Sequence, residues 1–145
     1  MQTRNISVAI SKRPFDVSSI KIEAPYVCLV YSNQENTGDS EMEAIANWII
    51  SSGCRYAVCA GIDCSEWHDA IDTAYIMSDP NYSPPDSRFI MTSWQTEESI
   101  EDIVWYWLEL TNYDDNIFEN YLLLIIGETE DIETKIMNAV NEIRL

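Results

Sequence analysis

The stretch Gly53-Cys54-Arg55-Tyr56-Ala57-Val58-Cys59-Ala60-Gly61-Ile62-Asp63-Cys64-Ser65-Glu66-Trp67-His68-Asp69-Ala70-Ile71-Asp72 decides the fold. It reads as a buried strand from Arg55 to Ala60, a tight turn, and a helix opened by the cap pattern Asp63-x-x-Glu66. Trp67, Ile71 and Ala74 recur at helical spacing and mark the inner face of that helix. A strand apolar along its length belongs in a sheet covered on both faces. The rest of the chain must therefore supply more strands, and helices to cover them.

Upstream, Tyr26-Val27-Cys28-Leu29-Val30-Tyr31 is a second continuous apolar run, followed by a polar loop from Ser32 to Asp39. Ser40-Glu41-Met42-Glu43 has the form of a capping box, for a helix buried through Met42, Ile45, Trp48 and Ile49 and stopped by a left-handed Gly53. Ile6, Val8 and Ile10 alternate as a short half-buried strand, and Ile20 and Ile22 repeat the alternation. Downstream, Pro80, Pro84 and Pro85 make Asp79 to Asp86 a loop. Arg88 to Trp94 reads as the next strand. Thr96 then caps a helix with Glu97 and Glu98 in its first turn and Ile100, Ile103, Val104, Trp107 and Leu108 turned inward. Tyr121 to Ile126 is a fourth apolar strand. Asp131 to Leu145 closes the chain as a helix buried through Ile132, Ile136, Ala139, Val140 and Ile143.

Strands alternating with helices imply an α/β domain. The expected architecture is a three-layer sandwich with a mainly parallel sheet of four core strands plus a short N-terminal edge strand. Right-handed crossovers would place helices on both faces. With 145 residues, a single domain spanning residues 1–145 is expected.

The chain is 46% hydrophobic, which argues against disorder, and it carries a net charge of -17. No apolar run approaches the ~20 residues that span a bilayer, and the first residues lack the apolar core of a secretory leader. A cytoplasmic protein is expected. From Phe89 to Thr134 there is no Lys or Arg, while twelve acids fall in that span. Such a field repels nucleic-acid phosphates and anionic lipid, and it attracts a basic protein. Cys28, Cys54, Cys59 and Cys64 match neither a disulfide framework nor a zinc pattern, and at least three of them read as reduced and structural.

Two kinds of candidate site follow. Cys64, His68 and Asp72 stand at i, i+4 and i+8, so a helix stacks a thiol, an imidazole and a carboxylate on one side. Cys–His pairing activates thiol nucleophiles, and a first-turn thiol feels the helix dipole. Yet three residues stacked up one helix leave little room for substrate over the nucleophile. The strand ends carry no phosphate-binding glycine loop, so no nucleotide cofactor is expected. Asp63 and Glu128 suggest a divalent cation only weakly, because cap and loop acids account for both. The more suggestive surface is the helix after Thr96. There Trp105 and Tyr106 fall beside the buried stripe, among Glu98, Glu101, Asp102 and Glu109, and Tyr113, Asp114 and Asp115 extend the patch. Aromatics ringed by acids suit the Lys and Arg side chains of a partner.

The segments Gly53-Cys54-Arg55-Tyr56 through Asp63-Cys64-Ser65-x-Trp67, with Arg88-Phe89-Ile90-Met91-Thr92-Ser93-Trp94 and Glu97-Glu98, resemble a small bacterial α/β domain family. Its pattern is G-C-x-Y…G-x-D-C-S-x-W followed by F-x-M-T-x-W. The likeness covers the middle third of the chain and implies no particular activity. It commonly places an acid where this chain has His68, which counts against a Cys–His pair. In size, charge and want of a catalytic signature the chain also resembles, by type alone, toxin immunity proteins, including those of contact-dependent inhibition systems. That resemblance implies an inhibitory binding protein occluding a basic toxin domain of the nuclease type. The alternatives are a thiol- or metal-dependent enzyme centred on Cys64, His68 and Asp63, and a nucleic-acid mimic.

Overall fold

The computed structural model describes residues 4–128 and 130–144. In chain order the elements are β1 (Asn5–Ser11), β2 (Tyr26–Ser32), α1 (Asp39–Ser51), β3 (Cys54–Gly61), α2 (Cys64–Met77), β4 (Met91–Gln95), α3 (Ile100–Glu109), β5 (Asn120–Ile126) and α4 (Glu130–Arg144). The strands form one sheet in the order β1-β5-β2-β3-β4, and every pairing is parallel. The α/β class expected from the alternating pattern is the class observed. The strand count is a correction: β1 is no short accessory. All seven of its residues, Asn5 to Ser11, pair with β5.

Alternation along the buried strands divides the core in two. Cys28, Val30, Cys59 and Leu124 face Met42, Ile45 and Ile49 of α1 and Trp67 and Ile71 of α2. Val27, Leu29, Val58 and Leu123 face Ile103, Val104 and Trp107 of α3 and Ile136 and Val140 of α4. This division follows the winding. From β2 through β3 to β4 the chain steps outward in one direction, with α1 and α2 on one face. The step back from β4 to β5 brings α3 to the other, as crossovers of one hand require. The link from β1 to β2 has no helix, but it runs in the same direction as β2 to β3. Phe15, Val17, Ile20 and Ile22 accordingly pack on the α1 and α2 face. Their alternation signals this coil and not a strand.

Two helix starts, the capping of a third helix and one strand start differ from expectation. In α1 the cap residue is Gly38 and Glu41 is the acid that reaches back, its Oε1 accepting from the Gly38 N–H at 2.8 Å. Ser40 and Glu43 lie inside the helix. Asp63 precedes α2 in a left-handed conformation, φ 57°, and its side chain caps nothing. Ser99, not Thr96, caps α3: its hydroxyl accepts from the Asp102 N–H at 3.1 Å. Glu97 has a φ of 62°, which ends any helical path there, so Glu97 and Glu98 sit in the connecting loop. Finally, Asp86–Arg88 form a 3-10 turn after the Pro84-Pro85 pair, and β4 begins only at Met91. Among the described residues no helix is long and apolar enough to cross a membrane.

Candidate functional site

The buried stripe of α3, Ile103, Val104, Trp107 and Leu108, sets what its other side displays. Trp105 is 50% exposed. Glu101 and Asp102, one turn before it, and Glu109, one turn after, are exposed too, as is Glu98 in the loop. Glu109 is, among the described residues, the one member of this group held by a base, accepting from Arg4 at 2.6 Å. Among the described residues no ion pair reaches Glu98, Glu101 or Asp102. Covering the exposed indole is favourable in itself, whereas the unpaired carboxylates beside it are desolvated at a cost unless a cation meets them.

Tyr106 is only partly exposed beside that surface. Its hydroxyl is hydrogen-bonded to that of Tyr56 on β3, and the two rings meet edge to face at 6.2 Å. Burial pushes the Tyr56 phenol above its ordinary range. Tyr56 also meets Tyr113 at 6.1 Å, and Tyr113 donates to the Phe89 carbonyl at 3.0 Å. Tyr113 and Asp114 line a depression of about 350 Å³ together with Arg55, Asp86 and Phe89. Asp115 is exposed in the same loop. Tyr106 and Tyr113 thus both meet the Tyr56 ring.

On the other face of the sheet, α2 carries the Cys64, His68 and Asp72 line. Cys64 is 5% exposed and directs its thiol at the Gln95 carbonyl, 3.8 Å away. Burial raises its pKa, against any gain from the helix start. His68 turns elsewhere: Nδ1 lies 3.0 Å from Asp69, Nε2 3.5 Å from Asp72, and the ring meets Trp94 edge on at 4.5 Å. Asp72 accepts a 2.7 Å hydrogen bond from the Thr92 hydroxyl. The imidazole is therefore built into a strut between α2 and β4, with no hydrogen bond from thiol to imidazole among the described residues. Cys28 and Cys59 are buried with raised pKa values, and burial takes Cys54 to about 12.

Open parallel sheets receive ligands where neighbouring strands send their helices to opposite faces, here between the ends of β2 and β5. That crevice is laced over by main chain. The Asn33 N–H donates to the Ile126 carbonyl at 2.8 Å, and the Asn33 amide donates to the Glu128 carbonyl at 2.7 Å. Gly127 donates to the Ser11 carbonyl at 2.8 Å. Glu128, considered with Asp63 for a cation, lies 3.3 Å from Lys12. Among the described residues no group of three or more His, Cys, Asp or Glu side chains is placed to hold a metal ion.

A separate concavity lies between the outer sides of α1 and α2. It is a groove of about 660 Å³. Met42, Ala70, Ala74 and Met77 give it an apolar floor, and Asp39, Glu43, Asp63, Glu66 and Asp69 border it. Each of these acids lies off the buried stripe of its own helix, so each reads singly as a solvated face or a cap. Only the packing of α1 against α2 brings the two rows together.

A family model described as Domain of unknown function (DUF7684) matches residues 8–143. The resemblance that rested on the middle third of the chain is matched, at the level of a family without an assigned activity, by a likeness covering most of it. No curated protein and no solved structure matches the chain.

Proposed function

We propose, on the premise that the chain belongs to the DUF7684 family, that it works by binding: an acidic inhibitory protein of the toxin-immunity type. It occludes the basic active site of a nuclease-type toxin domain within the cytoplasm. A three-layer α/β/α body serves as a rigid support, and no step of this reading needs a catalytic residue or a cofactor. The observation that carries it is Trp105, half in water on α3 between Glu101, Asp102 and Glu109. A central aromatic anchor with charged surroundings is the arrangement that concentrates binding energy in interfaces. A net charge of -17 would steer a basic partner, raising association rates by roughly one to three orders of magnitude at low salt. The enzyme alternative is weakened by the buried Cys64 thiol and by the separate partners of His68.

The test is co-expression with a basic nuclease-type toxin domain, taken from a neighbouring gene if one is encoded there, scored by host survival and followed by binding measurements on the purified pair. Glu101→Lys, Asp102→Lys and Trp105→Ala together should abolish protection and weaken binding at least a hundredfold, since central anchors cost ~2 kcal/mol or more each. Unchanged binding by the triple variant would rule this face out.

A further inference from the structure

We infer that the groove between α1 and α2 is a docking site for a basic amphipathic helix of a protein partner. The groove lies on the opposite face of the sheet from Trp105, so this inference stands apart from the function proposed above and can fail without it.

Three features select the occupant. The first is the floor. Met42 and Ala74 are each 7% exposed, Ala70 is half-buried, and Met77 is 61% exposed. Unbranched thioether side chains adapt to varied apolar surfaces, which is why they recur where helices are received in grooves. The second is the sign of the border. Every ionisable side chain lining the groove is an acid. Asp39 and Glu66 lie in first turns, where the helix dipole accounts for them. Glu43 and Asp69 lie beyond the first turn, where it does not; Asp69 meets His68 Nδ1 at 3.0 Å and its carboxylate is still largely open to solvent. The third is length. The groove follows α2 from its start to Met77, and the fourteen residues Cys64–Met77 span about 21 Å at ~1.5 Å per residue, or four turns of an incoming helix. Apolar residues at i, i+3 or i+4, and i+7 of such a helix would cover Met77, Ala74 and Ala70. Lys or Arg on its flanks would meet Glu43 and Asp69. A small polycation would satisfy the border and leave the floor wet.

The probe is a fluorescein-labelled fourteen-residue peptide of Leu and Lys, with Leu at helical spacing, titrated by anisotropy against the whole protein. A peptide of the same composition with the order scrambled is the control. Glu43→Lys with Asp69→Lys should weaken binding about tenfold or more, and Met77→Ser should do the same, as truncation of a contact at the centre of an interface does. Glu119→Lys with Glu142→Lys, exposed positions outside both candidate surfaces, changes the net charge equally and should leave binding within about twofold. The residues changed are exposed, and circular dichroism verifies each fold. The inference is overturned if the scrambled peptide binds equally well, if the Glu119 and Glu142 pair matters as much as the groove pair, or if Met77→Ser has no effect.

Discussion

Gly61 stands so close to Ser32 that a Cβ on it would lie 2.2 Å from the Ser32 carbonyl oxygen. Its φ of 84° is in the left-handed region, and the same Ser32 oxygen accepts from the Ile62 N–H at 2.8 Å. The ends of β2 and β3 are thus pinned where the chain turns into α2. Gly61→Ala should cost about 3 kcal/mol in urea denaturation, combining left-handed strain of ~1–2 kcal/mol with loss of that hydrogen bond. Gly38→Ala makes the contrast: its φ is -77° and the nearest atom is the flexible Glu41 Oε1 at 3.5 Å. It should cost less than about 1 kcal/mol. Equal costs for the two would show that the β2–β3 turn can relax.

Trp105 and Trp107 are neighbours on α3 with opposite fates. Trp107 is fully buried and donates from its indole N–H to the Val27 carbonyl at 3.4 Å. Trp107→Ala should destabilise by ~3–5 kcal/mol. Trp105→Ala should cost less than about 1 kcal/mol, because half of the ring is already solvated. Thermal melts of the two variants read this directly. A Trp105→Ala loss as large as that of Trp107→Ala would mean that Trp105 serves the fold, and would remove the main reason for placing a partner there.

The difference between those two tryptophans could be read from their spacing, and so could most of the architecture. Residues 26–31 and 121–126 are apolar throughout because both faces of a central parallel strand are covered. The inner stripes of all four helices follow the 3.6-residue period. Strand order could not be read, because β1 pairs with a strand more than a hundred residues away, Asn5 opposite Asn120, and no local pattern records it. Helix starts were misplaced where backbone geometry overrides side-chain preference, as at Glu97 with its positive φ. The groove was missed for the same reason as the strand order. Glu43 and Asp69 become neighbours only through the packing of α1 on α2. Cys64 and His68 share a helix side by count, yet the start of α2 turns the thiol inward to Gln95.

Arg13 bridges Glu41 through two hydrogen bonds of 2.9 Å, and the carboxylate also accepts from Gly38. The Arg13 hydrogen bonds, then the Gly38 amide, hold the Glu41 carboxyl below its ordinary value of 4.5. A depressed folded-state pKa means stability that is fully present above the unfolded value and is lost as pH falls through the folded one. Glu41→Gln should therefore lower the melting temperature at pH 7, and the gap from the parent should close as the pH drops below about 4.5. A gap that persists undiminished at pH 3 would show that the contribution is a neutral hydrogen bond and not the charge.

All four cysteines are buried, and desolvation raises the pKa of each. A thiol must become a thiolate to attack, so both access and ionisation slow its reaction. Native protein at pH 7 should react with iodoacetamide more slowly than free cysteine at every position, and unfolding in urea should release all four by mass spectrometry. Cys64 is the informative site, because the enzyme alternative needs it activated by His68. His68→Ala should leave the Cys64 alkylation rate unchanged within about twofold, since the imidazole is occupied with Asp69, Asp72 and Trp94. The same substitution should cost ~1 kcal/mol of stability through loss of the strut between α2 and β4. Rapid alkylation of Cys64 that collapses in His68→Ala would reverse the assignment, making α2 a reactive helix and the acidic surfaces its setting.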